Sequence, residues 1–424
     1  MNDQIMGIVS LVLLVGTILL GIFRKKNLGI LAIGAAFLFG FFLHSDTGTL
    51  SGASSRGSLI TSLFPFQIFW QTLSVSLMLN VGSVNGTFQL IIRKLVGLAR
   101  GRRALIPIVV FLAMMLVCSA GAGSTGIVVL LCTIAANIAR DEDISPVFML
   151  LAVLCGATVG VGSPVASIGI ICNGFSMDTW GEQIAPSYMY PRAAALATFT
   201  FGAVYVLFRG WKLERRPVNR EEIRQKLNGK QWLTVAGMIL FIILSIVCKL
   251  EMGLSAFLVT GLYLLLECAD EKQVIAEVPW SSLLLICGMC ILIGVVKYAG
   301  GMDLLTESLK KLMNAYTVKP IYSILGSLLS MVSSVTGVVL PGLLPTVPEV
   351  AVTTGINPYA LITALAYGSN IACVSPISSM GAIAMGIMGT NAKWDAGKLF
   401  KEMLKYSFIL MLVAALWAAI GIAG

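Results

Sequence analysis

The stretch GATVGVGSPVASIGIICNG at 156–174 and its counterpart GSNIACVSPISSMGAIAMG at 368–386 decide the fold of this chain. They align without a gap at an offset of 212 residues, and seven of the nineteen positions are identical. In each, a proline in the middle of an apolar run removes a backbone donor and breaks a helix. The short motifs GSTG at 123–126 and SVTG at 334–337 repeat at an offset of 211. The sequence therefore predicts an internal duplication with one broken helix in each half.

The composition is that of a membrane protein. Of 424 residues, 57% are hydrophobic and 12% are charged, with a mean hydropathy of +0.92, whereas soluble domains carry roughly 25% charged residues. Apolar runs of about 20 residues, the length needed to cross the hydrocarbon, recur along the chain. Because Arg24, Lys25 and Lys26 follow the first apolar run instead of preceding it, we expect an uncleaved first span. We predict an all-α integral protein of the cell membrane, in contact with lipid.

Two apolar segments, 104–139 and 320–352, are too long for one span and too short for two. Each is interrupted by small residues, SAGAGSTG at 119–126 and SSVTGVVLPG at 333–342. Half-helices of about 15 residues reach only about 22 Å, which is short of a core about 30 Å thick. We therefore predict two re-entrant hairpins whose tips lie inside the protein, where irregular backbone is tolerated.

The positive charges support a topology of about ten transmembrane helices plus the two hairpins. With both termini outside, 22 of the 29 Lys and Arg fall on the inner side, as the positive-inside rule requires. If each hairpin were instead two full spans, the segments before and after it would stay on the same sides of the membrane. The charge distribution alone therefore does not exclude two full spans in place of each hairpin. The net charge of +9 follows this topology, and we expect no nucleic-acid partner.

The order of parts is the same in both halves: three spans, a short amphipathic helix, a hairpin, a broken helix and a last span. Five spans per half is an odd number, so the second half enters the membrane in the opposite sense. We predict two inverted-topology repeats, the geometry of alternating access. The divisions are a first repeat at 1–208 with its hairpin at 104–139 and broken helix at 146–174, a cytoplasmic linker at 209–231, and a second repeat at 232–424 with its hairpin at 320–352 and broken helix at 358–388.

The breaks and tips are the candidate binding site. Half-helix N-termini present N–H groups to an anion, while unwound carbonyls can coordinate a cation. The alternative is that the small residues only permit close helix packing. The candidate substrate residues are Ser124, Thr125, Gly126, Ser163, Pro164, Val335, Thr336, Gly337, Ser375, Pro376 and Ser378. The candidate cation residues are Gly123, Gly162, Ser167, Val374 and Ser379.

Several kinds of chemistry are disfavoured. No ionisable residue falls near the middle of a predicted span, where it would mark a proton relay, and the single histidine, His44, is in an outer loop. Nine scattered cysteines, mostly in apolar runs, indicate packing and not a metal site. We expect no catalytic residues, no metal site, no enzyme activity and no cofactor, with Na⁺ as a possible coupling ion that offsets the charge of an anion.

The N-terminal region resembles a known family. KNLGILAIGAAFLFGF at 26–41, FPFQIFWQTLSVSLMLNVGSVNGTFQL at 64–90 and RKLVGLARGRRALIP at 93–107 are similar to the malonate/dicarboxylate carrier family. In length and repeat plan the chain resembles the wider ion transporter superfamily that includes the divalent-anion/sodium symporters. The tips here read Ser-Thr-Gly at 124–126 and Val-Thr-Gly at 335–337, where those symporters have Ser-Asn-Thr.

This resemblance implies a homodimer that works as an elevator, with a fixed scaffold and a moving transport domain. It also implies a dicarboxylate bound between the hairpin tips, with Na⁺ sites beside it. Our expectation is a cation-coupled secondary transporter of small organic anions, with C3–C4 dicarboxylates as the first candidates. The alternatives are a transporter of the same fold for an inorganic oxyanion or a monocarboxylate, coupled to protons, and a channel.

Overall fold

The computed structural model is helical in nearly all of the chain that it describes. The described residues are 3–24, 26–47, 63–97, 102–121, 125–213, 226–248, 250–310, 313–389 and 394–421. Gly123 and Ser124 of the first hairpin tip lie outside these residues. So does most of the linker predicted at 209–231.

The helices match the apolar segments of the sequence, because each segment predicted to enter the membrane contains one. Those of the first half are α1 Asp3–Arg24, α2 Leu28–Thr47, α3 Phe66–Val84, α4 Thr87–Gly97, α5 Ile106–Ser119, α6 Thr125–Asp141, α7 Pro146–Val159, α8 Ser167–Trp180 and α9 Pro186–Leu207. Those of the second half are α10 Gly229–Ile242, α11 Met252–Leu265, α12 Glu271–Ala276, α13 Trp280–Tyr298, α14 Gly301–Lys310, α15 Val318–Ser330, α16 Leu340–Leu343, α17 Val347–Thr354, α18 Pro358–Ile371, α19 Ser379–Gly389 and α20 Ala396–Ala419.

The helices cluster into two compact units, each of which draws on both halves of the chain. One, here the hairpin-1 unit, comprises residues 70–279 and 370–413. The other, here the hairpin-2 unit, comprises residues 1–69, 280–369 and 414–424. The units therefore do not coincide with the predicted repeats, and the division of the chain into repeats stays a prediction.

Helix α7 is the centre of the hairpin-1 unit. Twelve of its fourteen residues are buried, and it packs against α5, α6 and α9. At Gly156 a Cβ atom would lie 2.6 Å from the carbonyl oxygen of Phe111, so only glycine lets α7 approach α5 this closely. Stacked ring pairs, Phe111 on Phe201 at 4.4 Å and Phe148 on Phe208 at 5.1 Å between centroids, fill the seam with α9.

The first hairpin is closed at its base by one arginine. Its arms, α5 and α6, have 14 and 17 residues, or about 21 and 26 Å of helix. The buried side chain of Arg103, just before α5, donates from Nη2 to the Asp143 carbonyl at 3.2 Å. Its Nε lies 3.5 Å from a carboxylate oxygen of Glu142. Both contacts join the start of one arm to the end of the other, so the arms run antiparallel.

Close backbone contact between α2 and α13 defines the hairpin-2 unit. A Cβ atom at Gly29 would lie 2.1 Å from the Leu284 carbonyl oxygen, and one at Gly288 would lie 2.1 Å from the Gly29 carbonyl oxygen. Small residues that allow backbones to touch are typical of helix pairs in membranes. These glycines therefore hold the two helices at a distance that no larger residue permits.

The second hairpin also has antiparallel arms, but they are unequal. Helix α15 has 13 residues, whereas the second arm, Val335–Thr354, has 20 residues including a π turn and a 3₁₀ turn. The hydroxyls of Tyr322 and Thr346, 2.6 Å apart, bond the arms to each other. The second arm is longer than the half-helix of about 15 residues expected from the sequence, and by length it could cross a membrane. The antiparallel pairing of the two arms is therefore what supports a re-entrant path here.

The described helices present apolar surface suited to lipid. On α1 the side chains of Ile8, Val12, Val15 and Leu19 are all exposed, and their spacing places them on one face. By length and mean hydropathy, three helices in the described chain can cross a membrane: Pro146–Trp180, Val335–Thr354 and Gly397–Ala419. A fourth arises if the bent pair Leu283–Tyr298 and Gly301–Ser308 is one span. Shorter apolar helices occupy most of the remaining predicted positions, so the number of crossings stays a prediction.

Replacing Arg103 by Gln should destabilise the protein because Glu142 would then be left without its cation. A fully buried pair broken on one side costs about 3–5 kcal/mol. Because Glu142 is partly exposed, we expect about 1–3 kcal/mol, measured as a lower thermal unfolding midpoint of the detergent-solubilised protein.

Arg102→Gln is the matched control, since the Arg102 side chain is exposed. The double variant Arg103→Met with Glu142→Leu should recover part of the loss. An Arg103→Gln protein as stable as the control would contradict the closure of the hairpin base by this residue.

Candidate functional site: the helix breaks and the hairpin tips

The first helix break lies between α7 and α8. After α7 the chain forms a 3₁₀ turn, Gly160–Gly162, and then leaves helical geometry at Ser163, with φ −78° and ψ 128°. The Ser163 N–H donates to the Gly160 carbonyl at 3.0 Å, and the Ser163 carbonyl accepts from the Ala166 N–H at 3.2 Å. Pro164 has no N–H to offer, so the α-helical ladder cannot pass through it. These two bonds close the break around Ser163.

The second break, between α18 and α19, repeats the first residue for residue. Helices α18 and α19 begin 212 positions after α7 and α8, and the 3₁₀ turn Ala372–Val374 sits 212 positions after the first one. Ser375 has φ −52° and ψ 129°. It makes the same pair of backbone bonds, to the Ala372 carbonyl at 3.1 Å and from the Ser378 N–H at 3.0 Å. Two sequences with few identical residues thus form one backbone structure.

A glycine after each break is required by the fold. A Cβ atom at Gly169 would lie 1.9 Å from the Ser163 carbonyl oxygen, and one at Gly381 would lie 2.0 Å from the Ser375 carbonyl oxygen. The carbonyl of each break is therefore pressed against the first turn of the half-helix that follows. This explains why glycine is among the few identities between the two stretches.

The tip of the first hairpin is bonded to the first break through Ser119. The Ser163 hydroxyl donates to the Ser119 carbonyl at 2.7 Å, and the Tyr190 hydroxyl of α9 donates to Ser119 Oγ at 2.9 Å. Next to it, Gly121 has a φ of 88°, a value that favours glycine. A Cβ atom there would lie 2.7 Å from the Val165 carbonyl oxygen. The hairpin tip and the break are thus in direct contact.

The remaining candidates of the first half are arranged around this contact. Thr125 and Gly126 form the first turn of α6. Gly162 is buried against the backbone of Tyr190, Pro164 is half-buried, and Ser167 is exposed at the start of α8.

In the second half, Ser378 uses its hydroxyl within the break itself. It donates to the carbonyls of Cys373 at 2.6 Å and Ser375 at 2.8 Å, and it accepts from the Gly381 N–H at 3.0 Å. Because the equivalent residue of the first half is Ala166, the two breaks share a backbone but differ in their side-chain bonds. Val374, Ser375 and Pro376 are buried, and the backbone of Ser379 starts α19.

The tip of the second hairpin, in the hairpin-2 unit, is organised by Ser334. Its hydroxyl accepts from the Gly337 N–H at 3.2 Å and lies 3.4 Å from the Thr336 hydroxyl. Val335 and Gly337 are buried, and Thr336 is half-buried. At Gly337 a Cβ atom would lie 2.1 Å from the Leu285 side chain, so this tip packs closely on α13.

Among the described residues, no group of three or more His, Cys, Asp or Glu side chains is placed to hold a metal ion. The polar groups near the breaks are hydroxyls and backbone atoms, which suit an anion or a hard cation such as Na⁺. The sequence did not identify Ser119, Tyr190 or Ser334. A serine that precedes a helical turn is a common N-cap, so Ser334 carried a signal, whereas Ser119 and Tyr190 carried none.

A family model of citrate transporters matches residues 18–341, which is well over half of the chain. The chain belongs to the citrate transporter family. Membership makes it an integral membrane transport protein of organic anions, and it supports the transporter resemblance drawn from sequence in its wider form. The narrower likeness to malonate/dicarboxylate carriers is not supported by this match.

The fold of this citrate transporter family member has a solved counterpart. A crystal structure of the YdaH transporter from Alcanivorax borkumensis, described as having an unusual topology, is similar with a TM-score of 0.63 and 15% sequence identity. The similarity covers 88% of this chain and 89% of that one, and at such identity it shows the fold alone. No curated protein matches the sequence. Family and fold together point to transport and not to catalysis.

Gly381→Ala should damage the second break because its Cβ would collide with the Ser375 carbonyl oxygen. We expect loss of about 2 kcal/mol or more of stability, similar to other overpacked sites, together with loss of function. The matched control is Gly386→Ala in the same helix, where a Cβ meets nothing within 4 Å and where alanine favours the helix. Thermal unfolding of both variants checks this, and equal midpoints would contradict the close approach.

Proposed function

We propose that this protein is a secondary active transporter of small organic anions that carry two or three carboxylates, driven by a cation gradient. C3–C4 dicarboxylates are the first candidates from the sequence. Citrate is a second candidate because the chain belongs to the citrate transporter family. The observation that carries the proposal is the pair of matching helix breaks, each with backbone groups released from helical bonding and serine hydroxyls beside it.

The proposal includes two inverted repeats whose movement opens one binding site to each side of the membrane in turn. The constant offset of 212 between the broken helices supports a duplicated unit, and an odd number of spans per half inverts the second copy. Inverted repeats of this kind place a substrate between equivalent loops near the bilayer midplane. We further propose an elevator movement, a homodimer and outward-facing termini, which follow from the resemblance and from the charge distribution.

The proposed site uses backbone dipoles in place of charged side chains. The N-termini of α8 and α19 carry partial positive charge, which stabilises a carboxylate. Thr125 and Thr336 contact the substrate, and the carbonyls around Gly162 and Val374 hold a Na⁺ ion. A bound cation would offset the anion's charge in a region where an unpaired charge is costly.

Uptake into liposomes tests the function. Purified protein should accumulate radiolabelled citrate, malonate or succinate to saturation, and an inward sodium gradient should raise the initial rate. Uptake driven by a proton gradient alone would support the transporter proposal and contradict the proposed sodium sites. Flux that does not saturate would favour the channel, and uptake confined to a monocarboxylate or an oxyanion would favour the alternative cargo.

Thr336→Val should reduce uptake at least about tenfold, equivalent to about 1.4 kcal/mol, because valine keeps the shape and removes the hydroxyl. The control is Thr353→Val on the same hairpin, since the Thr353 hydroxyl bonds only to the Glu349 carbonyl of its own helix. Both variants should unfold at the wild-type temperature. Normal uptake by Thr336→Val would contradict the assignment of this hydroxyl to substrate binding.

A further inference from the structure

A cavity of about 210 Å³, whose wall is more apolar than polar, lies in the hairpin-2 unit beside the tip of the second hairpin. Three parts of the chain form its wall: the turn between α1 and α2, the first turns of α13, and the hairpin tip itself. The residues that matter for its chemistry are Lys26, Asn27, Ser281, Ser333, Ser334 and Val338. By this measure a single water needs about 10–15 Å³, so the cavity has room for several waters or a small carboxylate.

The charge of this cavity has one sign. Among the described residues that line it, Lys26 is the one charged side chain, and none is acidic. Lys26 is exposed, so its ammonium group keeps its three donors available. A cavity that offers a positive charge and no carboxylate favours an anion.

The hydroxyls are arranged so that two of them can also donate. Ser281 Oγ accepts from the Asn27 side-chain amide at 3.0 Å, which leaves the Ser281 proton to point elsewhere. Ser334 Oγ accepts from the Gly337 N–H, and its own proton can turn either to the Thr336 hydroxyl at 3.4 Å or to a bound anion. Ser333, in contrast, donates its proton to the Leu329 carbonyl. Lys26, Ser281 and Ser334 are therefore the donor set for a bound anion.

The position of Ser281 is set by Asn27. The Asn27 amide oxygen accepts from the N–H groups of Gly29 and Ile30 at 3.0 and 3.3 Å, so Asn27 caps α2 while its amide nitrogen holds Ser281. The close contact of Gly29 with Leu284 fixes α2 against α13. On the other side, Gly337 packs on Leu285. The cavity is thus preorganised by contacts that do not depend on a ligand, a feature that strengthens binding.

We propose that this cavity is a carboxylate-binding subsite at one end of the transport path, with Lys26 as its positive charge. The proposal rests on the proposed function, because Ser334 directly precedes the Val335–Gly337 segment assigned there to the substrate. The lining turns 26–28 and 281–285 lie at the helix ends that the distribution of Lys and Arg assigns to the cytoplasm. A substrate leaving the hairpin tip on that side meets Lys26 before it reaches water.

Cysteine labelling tests the charge of the cavity without any need for transport. In full-length protein with the exposed Cys248 replaced by Ser, Ser333→Cys supplies a thiol in the cavity wall and leaves the three donors in place. The measured quantity is the ratio of its labelling rates by the anionic sulfonatoethyl methanethiosulfonate and the cationic trimethylammonioethyl methanethiosulfonate. Lys26→Gln should lower this ratio about threefold, the effect of one unit charge several ångströms away in water-like surroundings.

Arg24→Gln is the matched control, because Arg24 is an exposed cation in the same turn that does not line the cavity. It should change the ratio by much less than Lys26→Gln. Citrate or succinate should slow the labelling, and Lys26→Gln should weaken that protection. Equal ratios in the two variants, or labelling that neither acid slows, would overturn the subsite.

Liposome uptake by the wild type, measured in parallel, separates this result from the proposed function. A wild type that transports the acids while the ratio and the protection are unaffected by Lys26→Gln contradicts the subsite alone. A wild type that transports none of them contradicts the proposed function whatever the labelling shows.

Discussion

Backbone that leaves helical geometry at membrane depth must find its hydrogen bonds within the protein, and the rest of this structure depends on how two helix breaks meet that requirement. Each break closes the same pair of backbone bonds around one serine, Ser163 in the first and Ser375 in the second. Each then presses its carbonyl against a glycine of the following half-helix, Gly169 or Gly381. The proline and the glycine of each stretch therefore act together. The proline ends the helical hydrogen bonding, and the glycine leaves room for the serine carbonyl that turns toward the following half-helix.

Equal backbones do not make the two breaks equivalent. Ser163 directs its hydroxyl outward to Ser119 and so joins the first break to a hairpin tip, where Tyr190 adds a second bond. In the second break the corresponding hydroxyl interactions come from Ser378 and remain local. The second hairpin is bonded to its broken helix just before the break, where the Ser327 and Ser330 hydroxyls donate to the Gly368 and Ser369 carbonyls at 2.8 and 2.5 Å. Each hairpin is thus bonded to a broken helix, but through different hydroxyls and at different distances from the break.

The grouping of helices differs from their order along the chain. Both helix breaks and the first hairpin belong to the hairpin-1 unit, whereas the second hairpin belongs to the unit built on α2 and α13. Glycines allow close backbone contact between helices in each unit, at Gly156 in one and Gly29 in the other. Lipid provides no hydrophobic drive between helices, so close backbone contact and hydroxyl bonds to carbonyls take over the role that apolar burial has in water.

The sequence by itself determined where the helices and their breaks fall, because helix formation in lipid depends on local properties: apolar length, a missing N–H and a residue without a side chain. It also indicated the class of protein, which the citrate transporter family match bears out in its wider form. Only the tertiary structure decided which polar groups meet. Ser119 lies 44 positions from Ser163 and 71 from Tyr190, and Asn27 lies 254 positions from Ser281. No periodic pattern records such pairs, since they arise from the packing of whole helices.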